Sequence, residues 1–327
     1  MKKTLALTAS VIALGFAANA AAQSGPLLIY TSTPTEAMNE LVSAFNETYP
    51  EIEVAFFRSG TTEVINRLQA EIAAGDPQPD VLLVANDIVM AQLKADGHLM
   101  AYDGADVAAY DPAIYDADMT YFGTKLITTG IIYNTNLVED APTSWDVLLS
   151  DAAQGSMTMP SPLYSGAAAY HVGTLTALES FGWDYYEGLA DNGAIAGRGN
   201  GGVREAVATG QVAYGVIVDF MALNAAADGS PVGFSFPDEG VTAITEPVAI
   251  MSTASNVEAA QAFVDWQLSA EGQAFAAQQG YLPAHPDVAG ADHFPSAADI
   301  TILAVDPLSL LANDEDMKRQ FADLFGS

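Results

Sequence analysis

Short apolar runs alternate along this chain with stretches in which apolar residues recur every three or four positions. Residues 27–30 form the first run and predict a buried strand. Met38, Leu41, Val42 and Phe45 then share a helical face, and Thr33-Pro34-Thr35-Glu36 ahead of them has the form of a capping box with proline at the first helical position. The unit repeats. Residues 52–57 read as a strand, Arg58-Ser59-Gly60-Thr61-Thr62 as a turn, and Val64, Ile65, Leu68 and Ile72 as one face of a helix that Gly75 and Pro77 stop. Residues 81–84 are the third strand. Strands alternating with helices predict a largely parallel sheet covered on both faces.

From about Thr124 the pattern changes. Residues 126–133 predict a strand ending in Asn134-Thr135-Asn136, and a short helix begins at 142–146. A strand at 157–159, a helix from about Ser165 to Phe181, another starting near Gly201 and a strand at 212–218 follow. Residues 247–251 predict a strand that returns to the first block, with a helix at 259–268 behind it. The expected fold is α/β and two-lobed, each lobe a mostly parallel sheet flanked by helices, with a ligand cleft between them. Residues 25–123 and 247–294 make the first lobe, and 124–246 and 295–327 the second. About 300 residues are more than one small core organises, which suits two lobes.

The first 22 residues change where the protein is expected to work. Lys2 and Lys3 precede an apolar stretch from Leu5 to Ala18, and small residues through Ala20 and Ala22 follow. That order is a secretory signal peptide, cleaved after Ala20 or Ala22. The apolar run is shorter than the ~20 residues a membrane span needs, so a soluble periplasmic protein is expected. The formal charge is −31, and the two lysines are the leader's only charges, so its removal makes the charge more negative by two. Nucleic acid and anionic membrane surfaces are thereby excluded as partners, since both require basic footprints. The absence of cysteine removes disulfides, thiolate metal sites and cysteine nucleophiles together.

The chemistry that remains is not catalytic. His98, His171, His285 and His293 show no helical i, i+4 metal spacing, and there is no G-x-S-x-G elbow or P-loop. Gly197-Arg198-Gly199-Asn200-Gly201-Gly202 satisfies G-x-G-x-x-G, but only Ile195 reads as strand before it, and a dinucleotide site needs a strand feeding the glycines. No catalytic residue, cofactor or resident metal is expected. Four turns rich in Ser, Thr and Gly stand out instead: Thr31-Ser32-Thr33, Arg58-Ser59-Gly60-Thr61 with Glu63 following, Ser165-Gly166-Ala167, and Asn200-Gly201-Gly202. Each alone reads as a helix cap. Spread over two lobes, they predict a cleft in which backbone N–H groups at helix N-termini meet an anion. Arg58 and Arg198 lie in these turns, Arg204 just after one, and Lys125 near the lobe crossover. An arginine grips a phosphonate, phosphate or carboxylate with two parallel hydrogen bonds.

Several of these segments, in their order and spacing, resemble the periplasmic solute-binding proteins that include the ferric-iron binders. The segments are Leu28-Ile29-Tyr30-Thr31-Ser32, Ser59-Gly60 leading to Glu63, Pro79-Asp80-Val81, Gly130-Ile131-Ile132-Tyr133-Asn134, Ser144-Trp145-Asp146-Val147-Leu148, Ser165-Gly166-Ala167, Leu268-Ser269-Ala270-Glu271-Gly272-Gln273 and Gly280-Tyr281-Leu282-Pro283. The resemblance implies a type II binding-protein fold, a role in an ABC importer, permease subunits as partners, and a monomer. It implies that Ser165, Gly166, Ala167 and Asn200 hold an anion. Of the family's iron ligands only Glu63 has a counterpart. The adjacent tyrosine pair is replaced by Phe220-Met221 after Asp219, the first turn has no His, and Tyr185-Tyr186 falls in another segment. An anion pocket kept while metal ligands are lost implies an organophosphonate or organophosphate cargo such as 2-aminoethylphosphonate, with Asp219, Glu63 or Glu246 pairing its ammonium. The alternatives are a ferric-iron binder with an unusual ligand set and an exported phosphatase.

Overall fold

The computed structural model describes residues 23–294 and 300–326; the signal-peptide reading of residues 1–22 lies outside them. The first half builds β1 (Gly25–Thr31), α1 (Thr35–Thr48), β2 (Ile52–Arg58), α2 (Thr61–Ala74), β3 (Val81–Leu83), α3 (Asp87–Ala95), β4 (Leu99–Met100) and the long β5 (Tyr121–Asn134). The second half continues with β6 (Met157–Pro160), α4 (Gly166–Ala177), α5 (Gly182–Asp191), β7 (Ile195–Gly197), α6 (Asn200–Ala208), β8 (Tyr214–Val218), α7 (Asp219–Ala227) and β9 (Val232–Ser235). The long β10 (Val241–Met251), α8 (Val257–Leu268), α9 (Ala270–Gln278), β11 (Leu282–Pro283), β12 (Ile302–Leu303) and α10 (Pro307–Phe325) complete the chain.

The strands form one mixed sheet in the order β2-β1-β3-β10-β5-β8-β6-β7, parallel within each flank and antiparallel at β10 and β5, which cross its centre. Parallel strands need helical crossovers on both faces, so their residues are buried on both sides. Leu27 and Ile29 pack with α1 and α8, while Tyr30 points the other way into the cluster of Val64, Leu68 and Leu82. In the other flank Met157, Met159 and Val216 pack with α4, α5 and α10, and Ile132 and Ile217 with α6 and α7. Two cores on either side of two crossing strands make the two-lobed α/β architecture.

The crossing has a local irregularity. β5 and β10 shift register between Thr245 and Pro247, so that Glu246 faces two residues, Thr124 and Lys125. Such a bulge bends a strand and re-aims a side chain. Here it brings Lys125 Nζ to 2.6 Å from Glu246 Oε2, with both side chains nearly fully buried.

Three local expectations are corrected. Pro34 is the N-cap of α1 and no side chain caps that helix, because Thr33 Oγ1 donates instead to Glu246 Oε1 at 3.0 Å. The helix expected over 165–181 breaks after Ala177, and α5 starts at Gly182 with φ 64°, a left-handed conformation that favours glycine. A strand, β7, does feed the Gly-rich segment; three residues paired to β6 suffice at the sheet edge.

Candidate functional site

Strands that end at the centre of the sheet deliver helix N-termini to one place. A cavity of about 440 Å³ opens there, lined by the first residues of α1, α2, α4 and α6. The N–H groups of a helix's first turn have no intrahelical acceptor and carry the positive end of its dipole. Four such ends bring partial positive charge to one cavity, which Glu36 and Glu246 also line. At α4, Ser165 is the N-cap and its Oγ accepts from Ala168 N at 3.2 Å. Asn200 Nδ2 donates to the same Oγ at 3.3 Å, and Asn200 Oδ1 accepts from Val218 N, which fixes the start of α6 beside α4. A Cβ added at Gly201 or Gly202 would meet nothing within 4 Å, so bare backbone faces the open volume there.

Among the sequence-selected residues, Ser32, Arg58, Gly60, Thr61, Ser165, Gly166, Ala167, Asn200 and Glu246 line this cavity. The other six stand behind it and support it. Thr31 Oγ1 accepts from Thr33 N, Ser59 Oγ donates to Glu63, and Lys125 is occupied by Glu246. Glu63 is held by Arg198, whose Nη2 approaches Oε1 at 2.7 Å. The Ser59 hydroxyl, and after it Arg198, keep the Glu63 carboxyl below its usual range. Asp219 is fully buried and accepts from Thr128 N, Thr128 Oγ1 and Phe220 N. Burial pushes its pKa up to about 6 despite those bonds. None of the three carboxylates named for an ammonium partner is therefore free: Glu63 and Glu246 are ion-paired, and Asp219 is buried, hydrogen-bonded and does not line the cavity.

The cations sort themselves sharply. Arg67, Lys94, Lys125, Arg198, Lys318 and Arg319 each pair with a carboxylate. Among the described residues, Arg58 and Arg204 are the two Arg/Lys side chains without an ion pair, and both line this cavity. Arg58 is oriented by donating to Thr33 O, Ser32 O and Tyr164 Oη, which fixes the guanidinium without neutralising it.

Sequence reasoning missed Tyr164, Phe220, Met221 and Tyr281 as lining residues. Tyr164 directly precedes the Ser165 turn and touches the opposite lobe. Its carbonyl accepts from Thr62 N at 3.4 Å, its ring lies under Arg198, and a Cβ at Gly60 would come within 2.5 Å of its carbonyl oxygen. The lobes therefore meet across the cavity. Phe220 and Met221 present apolar side chains to the cavity. Tyr185 and Tyr186 lie buried on α5 in the second core, and Tyr185 Oη donates to Trp145 O. Among the described residues no group of three or more His, Cys, Asp or Glu is placed to hold a metal ion.

Residues 31–274 match the bacterial extracellular solute-binding protein family. The chain belongs to that family. A probable ABC transporter periplasmic-binding protein, y4fP of Sinorhizobium fredii, is 29% identical over 248 residues, covering 72% of this solute-binding protein and 68% of its own length. The fold is shared with AfuA from Actinobacillus pleuropneumoniae, solved with exogenous fructose-6-phosphate bound: TM-score 0.84, 20% identity, 93% of this chain and 99% of that one. It is shared too with iron-bound HitA from Pseudomonas aeruginosa, at TM-score 0.79, 19% identity, and coverage of 90% and 99%.

Proposed function

We propose that this solute-binding protein is the periplasmic component of an ABC importer, and that it captures a small organophosphorus anion by hinge closure and delivers it to a membrane permease. Phosphonates of the 2-aminoethylphosphonate kind and phosphate esters are the cargo class. The observation that carries this reading is the pair Arg58 and Arg204. In a chain with 41 acids and 10 bases, an arginine without a carboxylate partner is scarce, and both face the cavity that four helix N-termini surround. An anion there replaces lost hydration with charge-assisted hydrogen bonds.

The moving bodies are residues 25–123 with 247–294 and residues 124–246 with 295–327, joined at the β5–β10 crossing. Ligand settles on one lobe, and the other completes its shell. Closure follows only because the ligand binds the closed state better than the open one. No bond is made or broken, so the protein is a carrier and not an enzyme.

Calorimetric titration of the mature protein with phosphonates, phosphate esters, simple carboxylates and ferric iron tests the reading. The phosphorus compounds should bind, and Arg58→Ala should weaken them about a hundredfold while leaving the melting temperature near wild type. Unchanged affinity in Arg58→Ala would remove the arginine from the site. Visible colour after iron loading, with no phosphate binding, would replace the anion by iron as cargo.

A further inference from the structure

Consecutive residues of a strand point to opposite faces, and where the lobes cross this separates two cavities. Glu246 lines the ligand cavity, whereas Thr245 lines another of about 180 Å³, and the two share no lining residue. The second lies behind the crossing strands. Its walls come from both lobes: Asp87, Ile88 and Ala91 of α3 on one side, Pro307 and Leu311 of α10 on the other.

The helix α10 is carried by the second lobe. Met317 and Phe321 are buried in that lobe's core with Tyr186, and a Cβ on Gly173 of α4 would come within 3.2 Å of Leu310 Cδ2. Its first turns nevertheless reach α3 of the first lobe. Packed interiors leave few voids larger than a water molecule, so a gap of this size between helices of two lobes is room for movement. A rotation about β5 and β10 that widens the ligand cavity in front carries α10 towards α3 behind, and opening consumes the gap.

We propose that α3 and the first turns of α10 form a stop behind the hinge: the gap between them sets how far the lobes open, and with it how strongly the unliganded protein resists closing. This rests on the hinge-closure reading above. Bulk added to the gap fits while the lobes are in contact, as here, and obstructs their opening. It therefore shifts the unliganded protein towards the closed form.

The test needs no ligand, so its outcome does not depend on which anion is carried. The chain has no cysteine, and spin labels attached through Glu47→Cys on α1 and Glu187→Cys on α5, both exposed, report the separation of the lobes in the unliganded mature protein. Pulsed electron–electron resonance should find an open form, and Ala91→Leu should raise the ratio of closed to open about threefold. Ala113→Leu, at an exposed position lining the same gap, should act in the same direction and keeps the test available if Ala91→Leu does not fold. An open form whose share neither variant lowers overturns the stop and leaves hinge closure standing. A single separation as short as in this structure would mean that the lobes do not open, and overturns hinge closure and this inference together.

Discussion

At the scale of single residues, buried titratable groups set the acid response. His171 is buried on α4, its Nδ1 3.0 Å from Thr242 Oγ1 and its ring packed on Trp145. Burial disfavours the imidazolium and lowers its pKa from 6.5 to about 3. Between those values the unfolded chain takes up a proton that the folded chain refuses. The stability His171 contributes is thus complete above about pH 6.5 and falls towards pH 3, by up to about 1.4 kcal/mol per pH unit. Asp219 acts in the opposite sense. Its folded value of about 6 lies above the ordinary 3.8, so the folded chain takes its proton first, and its contribution fades as pH rises from about 4 to 6. Melting temperature measured from pH 7 to pH 4 should therefore fall less steeply in His171→Gln than in wild type, and more steeply in Asp219→Asn. Parallel curves for wild type and His171→Gln would show that the histidine is not what acid attacks.

At the scale of elements, the helix N-termini can converge only because glycine stands where the lobes touch. A Cβ on Gly166 would lie 2.4 Å from Ala85 O and 2.8 Å from Thr61 Oγ1, both in the opposite lobe. Backbone cannot yield cheaply, and overpacking of this kind costs about 1–3 kcal/mol. Because the clash arises only where the lobes meet, Gly166→Ala should weaken ligand by about thirtyfold yet melt like wild type without ligand. Retained affinity would mean that the contact is not needed for binding. These helices were legible from local signals: apolar spacing, Gly75 as a stop, and Ser or Gly at the turns before α2, α4 and α6. What local signals could not tell is which side chains were already engaged. Arg58 and Arg198 read alike in the sequence, but Arg198 is claimed by Glu63, 135 positions away, while Arg58 is left charged. Lys125 read as a cleft residue because nothing nearby predicts the bulge that turns it onto Glu246. Tyr281 joins the site only through the pairing of β11 with β5, a long-range event with no local signature.

At the scale of the whole molecule, the two lobes are clasped at the rim of the cavity. Arg198 from the second half grips Glu63 on α2 and stacks over Tyr164, and Arg58 from the first half donates to the Tyr164 hydroxyl at 3.3 Å. The Arg198 and Glu63 side chains are 71% and 43% exposed, so water and salt screen the pair and its worth is well under 1 kcal/mol. It exists only when the lobes meet, so it acts on opening and not on encounter. Glu63→Gln should therefore raise the ligand dissociation rate about two- to threefold, leave association unchanged, and flatten the dependence of dissociation on salt. Tyr164→Ala removes the platform for both arginines and should speed dissociation further, by tenfold or more. Stopped-flow measurements at low and high salt separate the two. An unaltered salt dependence in Glu63→Gln would show that the rim pair contributes nothing to holding the lobes together.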